Sequence, residues 1–129
     1  YYSTLAEAQM ALRRYDEALT TLDETQAVVE ETQERFWEPD VHRLRAEVLL
    51  AQGNEVGAEA SFFKAIEIAR GQEAKSWELR AATSLARLWR RQGKRDEARD
   101  LLAPVYGWFT EGFDTPDLVE ARALLEELR

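Results

Sequence analysis

The sequence predicts an all-α protein built from repeated helix pairs, and three observations support this class. Three stretches of the chain align without gaps at a constant spacing of 40 residues. Apolar side chains within these stretches recur at the three- and four-residue intervals of an amphipathic helix. The 129 residues include only three prolines and six glycines, so long irregular loops are not expected.

The three aligned stretches are "LAEAQMALRRYDEALTTL", "RAEVLLAQGNEVGAEASF" and "LARLWRRQGKRDEARDLL". Small or large apolar residues coincide in three columns of this alignment. The columns are Ala6, Ala46 and Ala86; Ala18, Ala58 and Ala98; and Leu22, Phe62 and Leu102. Two packed helices approach most closely where their side chains are small, so the alanine columns predict the helix-crossing points.

A short break separates the two helices of each pair. Gly53 and Gly93 can supply the left-handed backbone conformation that ends a helix. Asn54 or a nearby aspartate can then cap the helix that follows. The repeat units are expected at about residues 1–36, 37–76 and 77–112 of a single domain covering residues 1–129.

The last stretch, "YGWFTEGFDTPDLVEARALLEELR", crowds aromatic, glycine and acidic residues into one connector. We expect the preceding helix to reach about Thr110, to be bent or interrupted at Pro104, and to end at Gly112. The aromatic residues Trp108 and Phe113 are expected to fill the junction with the next helix. This pattern indicates a turn between helices and not the lip of an active site.

The chain then predicts a capping helix over residues 115–128. Thr115 is a favourable N-cap and Pro116 suits the first helical position. One apolar face is expected from four residues, namely Leu118, Ala121, Leu125 and Leu128. Terminal repeats generally need a polar outer surface, which the charged face of this helix would supply.

Composition restricts the classes of function. The formal net charge is −8, and residues 1–40 hold ten acidic but only three basic side chains. Nucleic acid is therefore not an expected partner, because binding to phosphates needs a basic surface. No apolar run is long enough to cross a membrane. The absence of cysteine fits a reducing, cytoplasmic compartment. The chain begins with Tyr1 and is expected to be a segment of a longer protein.

The repeat resembles the tetratricopeptide repeat (TPR). Its "G-x-x-x-EA" pattern occurs in "QGKRDEARDLL", while "RRYDEALTTL" lacks the glycine and "QGNEVGAEASF" has Gly57 where glutamate is usual. The period of 40 exceeds the usual TPR period of about 34 residues. The resemblance implies a right-handed TPR-like α-solenoid of three helical hairpins with a C-terminal capping helix.

Residues 36–128 also resemble the C-terminal region of certain bacterial multidomain proteins. In these proteins a class III adenylate or guanylate cyclase domain precedes an ATPase and a TPR-like region. The segments "SWELRAATSLARLW" and "LLAPVYGWFTEGFDTPDL" carry the likeness. The resemblance places the cyclase and ATPase chemistry outside this segment, because neither a phosphate-binding loop nor a cyclase metal motif occurs in it.

Several residues could be considered for metal or ligand binding, but each also has a simpler structural interpretation. His42 is the only histidine, so a metal site would lack the usual partners and a structural role is favoured. The four tryptophans could form a ligand cage but are more typical of packing, with Trp37 and Trp77 in one repeat column. The basic residues around the third helix pair could receive an acidic peptide or another copy's acidic repeat, or form a solvated face. They are Arg87, Arg90, Arg91, Lys94, Arg95 and Arg99.

The resemblance to TPR proteins implies that the first helix of each pair lines a concave groove. Eight residues at matching positions are predicted partner contacts, namely Glu7, Asp40, Arg43, Glu47, Arg80, Thr83, Arg87 and Arg90. We therefore expect a noncatalytic protein-interaction module without cofactor or metal. Its partner would be a protein, a peptide or another domain of the parent chain, where it would regulate a cyclase or ATPase. The alternative is a structural scaffold that self-associates or packs neighbouring domains.

Overall fold

The computed structural model describes the backbone of residues 2–129 and the side chains from Ser3 onwards. Tyr1, the first residue of the predicted first repeat unit, lies outside the described residues. The described part contains seven α-helices and no strand. The helices are α1 Tyr2–Ala11, α2 Tyr15–Thr32, α3 Glu38–Ala51, α4 Glu55–Gly71, α5 Lys75–Arg91, α6 Arg95–Gly107 and α7 Pro116–Glu127. The predicted all-α class, with three consecutive helix pairs and a terminal helix, is confirmed.

The chain forms two compact units, the first ending at Ile68 and the second beginning at Ala69. In the first unit, α2 packs against both α1 and α3, and α1 also contacts α3. Its buried cluster consists of Ala6, Ala18, Leu22, Val41, Leu44 and Val48. In the second unit, α5, α6 and α7 pack against one another in all three combinations.

The repeat columns are the most deeply buried positions of the fold. All nine residues of the three predicted columns are at most 1% exposed. Because each column recurs at the same place in a helix pair, its residues meet the same requirement for a small or a large side chain. The 40-residue register read from the sequence is therefore confirmed.

The turns inside the second and third helix pairs have the left-handed glycine that the sequence predicts. Gly53 and Gly93 have φ angles of +84° and +81°, in the left-handed region. Asn54 caps α4, since its Oδ1 accepts a hydrogen bond of 2.9 Å from the backbone N–H of Gly57. A Cβ atom at Gly57 would lie 2.5 Å from Nδ2 of Asn54, so glycine replaces the usual glutamate where the asparagine cap needs space.

The first repeat uses Arg13 at the position of these glycines, with φ +60°. A side chain in this conformation costs about 1 kcal/mol, because Cβ crowds the following carbonyl. We expect Arg13→Gly to raise the free energy of unfolding by about 0.5–1 kcal/mol, the gain being reduced by the flexibility of glycine in the unfolded chain. Denaturant midpoints measure the change.

Two alanine variants serve as controls for this prediction. Gly53 has positive φ and no atom within 4 Å of the place that a Cβ would take, whereas Gly71 has ordinary φ and equally open surroundings. Gly53→Ala is expected to destabilise and Gly71→Ala to be neutral or stabilising. A loss of stability in Arg13→Gly would contradict the assignment of strain to residue 13.

The end of the third pair differs from expectation in three ways. Helix α6 contains Pro104 without interruption and ends at Gly107, not near Thr110. Gly112 adopts φ +76° in the connector, where it forms a turn after the helix has already ended. The aromatic residues do not fill a junction, because Trp108 and Phe113 are 57% and 45% exposed.

The capping helix begins as predicted, with Thr115 as N-cap and Pro116 in the first turn. The hydroxyl of Thr115 makes no capping hydrogen bond. The buried face consists of Leu118, Ala121, Leu124 and Leu128. The prediction of Leu125 on this face is wrong, because Leu125 lies at its edge and is only partly buried.

Candidate functional site

Two buried glutamates recur at the start of α3 and α5, directly after Trp37 and Trp77. Glu38 accepts hydrogen bonds from Nε2 of Gln26 at 2.7 Å and Nη1 of Arg35 at 3.0 Å. Glu78 contacts Nε of Arg70 at 2.8 Å and Nζ of Lys75 at 3.4 Å. The sequence showed the repeated Trp-Glu pair but not the burial of the carboxylates.

Glu38 is placed to join α2 to the start of α3, and hydrogen bonds hold its charge. Burial alone would raise the pKa of Glu38, but hydrogen bonds from Gln26 and Arg35 and the charge of Arg35 outweigh it. The pKa of Glu38 consequently lies below its usual value. A carboxylate that stays ionised and paired is a poor proton donor near neutral pH.

His42 lies one turn after Glu38 on α3 and is half-buried. Its Nε2 atom is buried and has no hydrogen-bond partner among the described residues. Burial and the positive charge of Arg45 lower the pKa of His42, Lys64 adds to this effect, and Glu38 opposes it. The neutral form is therefore favoured in the folded chain.

The lowered pKa of His42 predicts acid sensitivity near neutral pH. The unfolded chain takes up the proton at about pH 6.5, while the folded chain takes it up only at lower pH. Stability is thus complete above about pH 6.5 and falls below it, by at most about 1.4 kcal/mol per pH unit. Denaturation midpoints between about pH 5 and about pH 7.5 would show this slope, since a histidine titrates in that range.

The control for this prediction is His42→Gln. Since the chain has one histidine, the variant should lose the pH dependence above about pH 6, where carboxylates are ionised in both states. An equal slope in both proteins would assign the pH dependence to another group.

The predicted contact residues of the first unit are unevenly accessible. Glu7 is exposed and Glu47 is partly buried. Asp40 is buried, and its Oδ1 pairs with Nε of Arg43 at 2.9 Å. Two of these four side chains are thus largely engaged with each other.

In the second unit, the predicted contact residues on α5 face α7. Arg80 pairs with Asp117 at 3.0 Å and Arg87 with Glu120 at 2.8 Å. Arg90 pairs with Glu127, so three arginines of α5 match three carboxylates of α7. Thr83 is buried and donates its hydroxyl hydrogen bond to the carbonyl of Leu79 at 2.7 Å.

Two arginines of α6 bind the C-terminal end of α7. Nη2 of Arg95 donates to the carbonyl of Arg129 at 2.8 Å, and Nη1 of Arg99 donates to the carbonyl of Leu128 at 3.1 Å. Cations at these carbonyls complement the negative end of the helix dipole. Within the second unit, α7 therefore contacts much of the basic surface that the sequence suggested for an acidic ligand.

The first unit has an apolar concavity along α2, which we call the α2 groove. Its volume is about 520 Å³. It is lined by Leu5, Thr21, Glu24, Thr25, Val28, Val29, Thr32, Glu34 and Trp37. Residues 21, 25, 28 and 32 lie on one stripe of α2 at intervals of three and four, and so present a continuous face.

Sequence reasoning missed the α2 groove. Leu5, Val28 and Trp37 line it and remain exposed. Trp37 was expected to pack in the interior on the basis of its repeat column. The stripe of threonines and valines on α2 is a signal that the sequence does carry, but threonine is common on solvated faces as well.

No helix between residues 2 and 129 is long and apolar enough to span a membrane. Among the same residues, no group of three or more acidic or histidine side chains is placed to hold a metal ion. Paired helices, an open apolar groove and buried carboxylates that are held by ion pairs define a helical repeat region.

Comparison with known proteins agrees with this class. Residues 39–62 and 79–104 match the tetratricopeptide repeat family. These segments cover parts of α3 with α4 and of α5 with α6, so both of these helix pairs are similar to tetratricopeptide repeats. Such repeats generally mediate protein–protein interaction and are typically not enzymes. No curated protein matches the chain, and no solved structure does.

Proposed function

We propose that this chain is a noncatalytic protein-interaction module whose first unit receives a partner in the α2 groove. The observation that carries the proposal is the groove itself, a concavity of about 520 Å³ lined by apolar side chains that remain exposed. Exposed apolar side chains that line a concavity are one feature of protein and ligand contact sites. The repeat class supports the same function.

The lining of the groove favours an apolar partner segment with positive flanks. Val28, Leu5 and Trp37 offer apolar contacts, and Glu24 and Glu34 lie among the lining residues. The surrounding residues 1–40 are strongly acidic. A helix or extended peptide that presents apolar side chains between lysines or arginines would complement both features.

We further propose that the partner is another domain of the parent protein. The resemblance to bacterial cyclase–ATPase–TPR proteins supports a regulatory role toward a cyclase or ATPase in the cytoplasm. Glu7 and Glu47 remain proposed contacts on the first unit, together with Asp40 and Arg43. A partner that used Arg80, Arg87 or Arg90 would have to compete with α7.

A binding experiment with a matched pair of variants tests the groove. The remaining domains of the parent chain are titrated with the wild-type module, with Val28→Asp and with Val56→Asp. Both valines are exposed, but only Val28 lines the groove. Val28→Asp is expected to weaken binding at least about tenfold, the effect of placing a charge in an apolar contact. Equal affinity of the two variants would exclude the groove as the docking site.

Self-association is the alternative function, and the exposed apolar surface of the groove also favours it. Sedimentation equilibrium over a wide range of protein concentration distinguishes the two. A heterologous complex with a module that stays monomeric supports the first proposal. Concentration-dependent oligomers that Val28→Asp disrupts, without any heterologous complex, support the scaffold.

A further inference from the structure

The connector between α6 and α7, residues 108–115, gathers exposed aromatic side chains. In the described second unit the exposed large apolar residues are Trp108, Phe113 and Val119, all in or near this segment. Trp108 and Phe109 form an edge-to-face pair with centroids 5.2 Å apart. Phe113 lies 5.9 Å from the ring of Tyr106. Trp108 and Phe113 are therefore exposed at the surface and are not part of the buried core.

Backbone hydrogen bonds order both ends of the connector. The N–H of Trp108 donates to the carbonyl of Val105, and the N–H of Phe109 donates to the carbonyl of Tyr106. The N–H of Thr115 donates a hydrogen bond of 2.9 Å to the carbonyl of Gly112 and so closes a turn. A surface already fixed in this way loses little conformational entropy when a partner binds.

The charges along this part of the sequence are all negative. No lysine or arginine occurs between Arg99 and Arg122, whereas the same segment contains Asp100, Glu111, Asp114, Asp117 and Glu120. Glu111 and Asp114 are exposed and form no ion pair within the part of the chain that the structure describes. Nζ of Lys75 lies 5.6 Å from the centroid of the Trp108 ring, so this ring already attracts a cation.

We propose that the connector is a second docking surface, specific for an arginine-bearing segment of a partner protein. The guanidinium group would contact the exposed parts of Trp108 and Phe113, in competition with Lys75 at Trp108, and pair with Asp114 or Glu111. Arginine fits better than lysine, because its planar group stacks on aromatic rings and pairs with carboxylates in a bidentate manner. This surface uses no residue of the α2 groove, so the inference goes beyond the proposed function.

Fluorescence anisotropy with labelled peptides tests the proposal on the full 129-residue chain. The probe is a synthetic peptide of alternating glycine and arginine, with the lysine and glutamate analogues as comparisons. Trp108→Ala is expected to weaken binding of the arginine peptide about fivefold to tenfold, and Asp114→Asn about threefold. The lysine analogue is expected to bind more weakly than the arginine peptide, and the glutamate analogue not at all.

Two control variants separate this surface from general acidity. Phe36 is an exposed aromatic that pairs edge-to-face with Trp37, and Glu31 is an exposed acid on α2. Phe36→Ala and Glu31→Gln are expected to change the affinity less than about twofold, the range of neutral surface substitutions. If Glu31→Gln weakens binding as much as Asp114→Asn, the attraction is nonspecific and the proposal is overturned.

A measurement on the unmodified chain covers the case in which Trp108→Ala does not fold. The indole N–H signals of the four tryptophans are followed by NMR during titration with the arginine peptide. The Trp108 signal is expected to move most. A shift of Trp37 without a shift of Trp108 would overturn this proposal, while leaving the α2 groove as a docking site.

Discussion

Ending the chain at Thr115, and so removing α7, is expected to lower the free energy of unfolding by roughly 5 kcal/mol or more. Helix α7 buries Leu118, Leu124 and Leu128, and each buried leucine contributes about 1.5–3 kcal/mol. Its removal also uncovers the surfaces of α5 and α6 on which it packs. Because total stability is about 5–15 kcal/mol, the loss would leave the second unit marginally folded or unfolded.

The buried leucines, and not the ion pairs, are expected to dominate this effect. Arg80–Asp117 and Arg87–Glu120 join side chains that are each at least one-third exposed. Pairs of this kind typically contribute about 0–1 kcal/mol each, because solvent screens them. Asp117→Asn and Glu120→Gln should therefore change the unfolding midpoint little.

Point variants of α7 provide the matched control. Leu124 is 2% exposed and Val119 is 51% exposed on the same helix. Leu124→Ala is expected to cost about 2–5 kcal/mol and Val119→Ala less than about 0.5 kcal/mol. Thermal melting and sedimentation are the measurements, since the fluorescence of Trp108 changes little on further exposure. A truncated chain that stays monomeric with an unchanged melting temperature would show that α7 is not a cap.

The fold was predictable because it depends on local periodicity and on repetition. Each column contains one residue from each of the three repeats. A position that is misread in one repeat is therefore corrected by the matching positions in the other two. The turns were predictable at Gly53 and Gly93, because glycine adopts the left-handed backbone conformation without the steric cost of a Cβ atom. They were not predictable at Gln33 and Glu73, whose φ angles are +62° and +56° without any glycine.

The end of α6 shows where local rules become insufficient. Pro104 lacks a backbone N–H and was expected to bend or interrupt the helix; α6 is not interrupted there and continues to Gly107. Trp108 and Phe113 were expected to fill the junction with the next helix, but burial depends on whether another element covers them. The helix ends at Gly107, which apolar spacing along the chain does not encode.

The surfaces were less predictable than the fold because each depends on which elements face one another. The arginines of α5 and the carboxylates of α7 were both visible in the sequence. Their pairing follows only once the two helices lie side by side. The α2 groove depends equally on the positions of Leu5 and Trp37, which belong to different elements from the stripe between them.

The pair Phe62→Ala and Phe63→Ala gives the sharpest test of the repeat register. The two residues are adjacent on α4 and undergo the same change, but Phe62 is 0% exposed and Phe63 is 46% exposed. Phe62 belongs to the column of Leu22 and Leu102, where a large side chain fills the interior. Removing it should cost about 3–5 kcal/mol through lost burial and the cavity left behind. Phe63→Ala should cost less than about 1 kcal/mol, as expected for a half-exposed position.

Urea denaturation measures both variants. A shift of the midpoint with an unchanged slope would identify a change in stability alone. Equal losses in the two variants would mean that Phe62 and Phe63 share the burial, and that the column of large residues is wrongly placed in the second repeat.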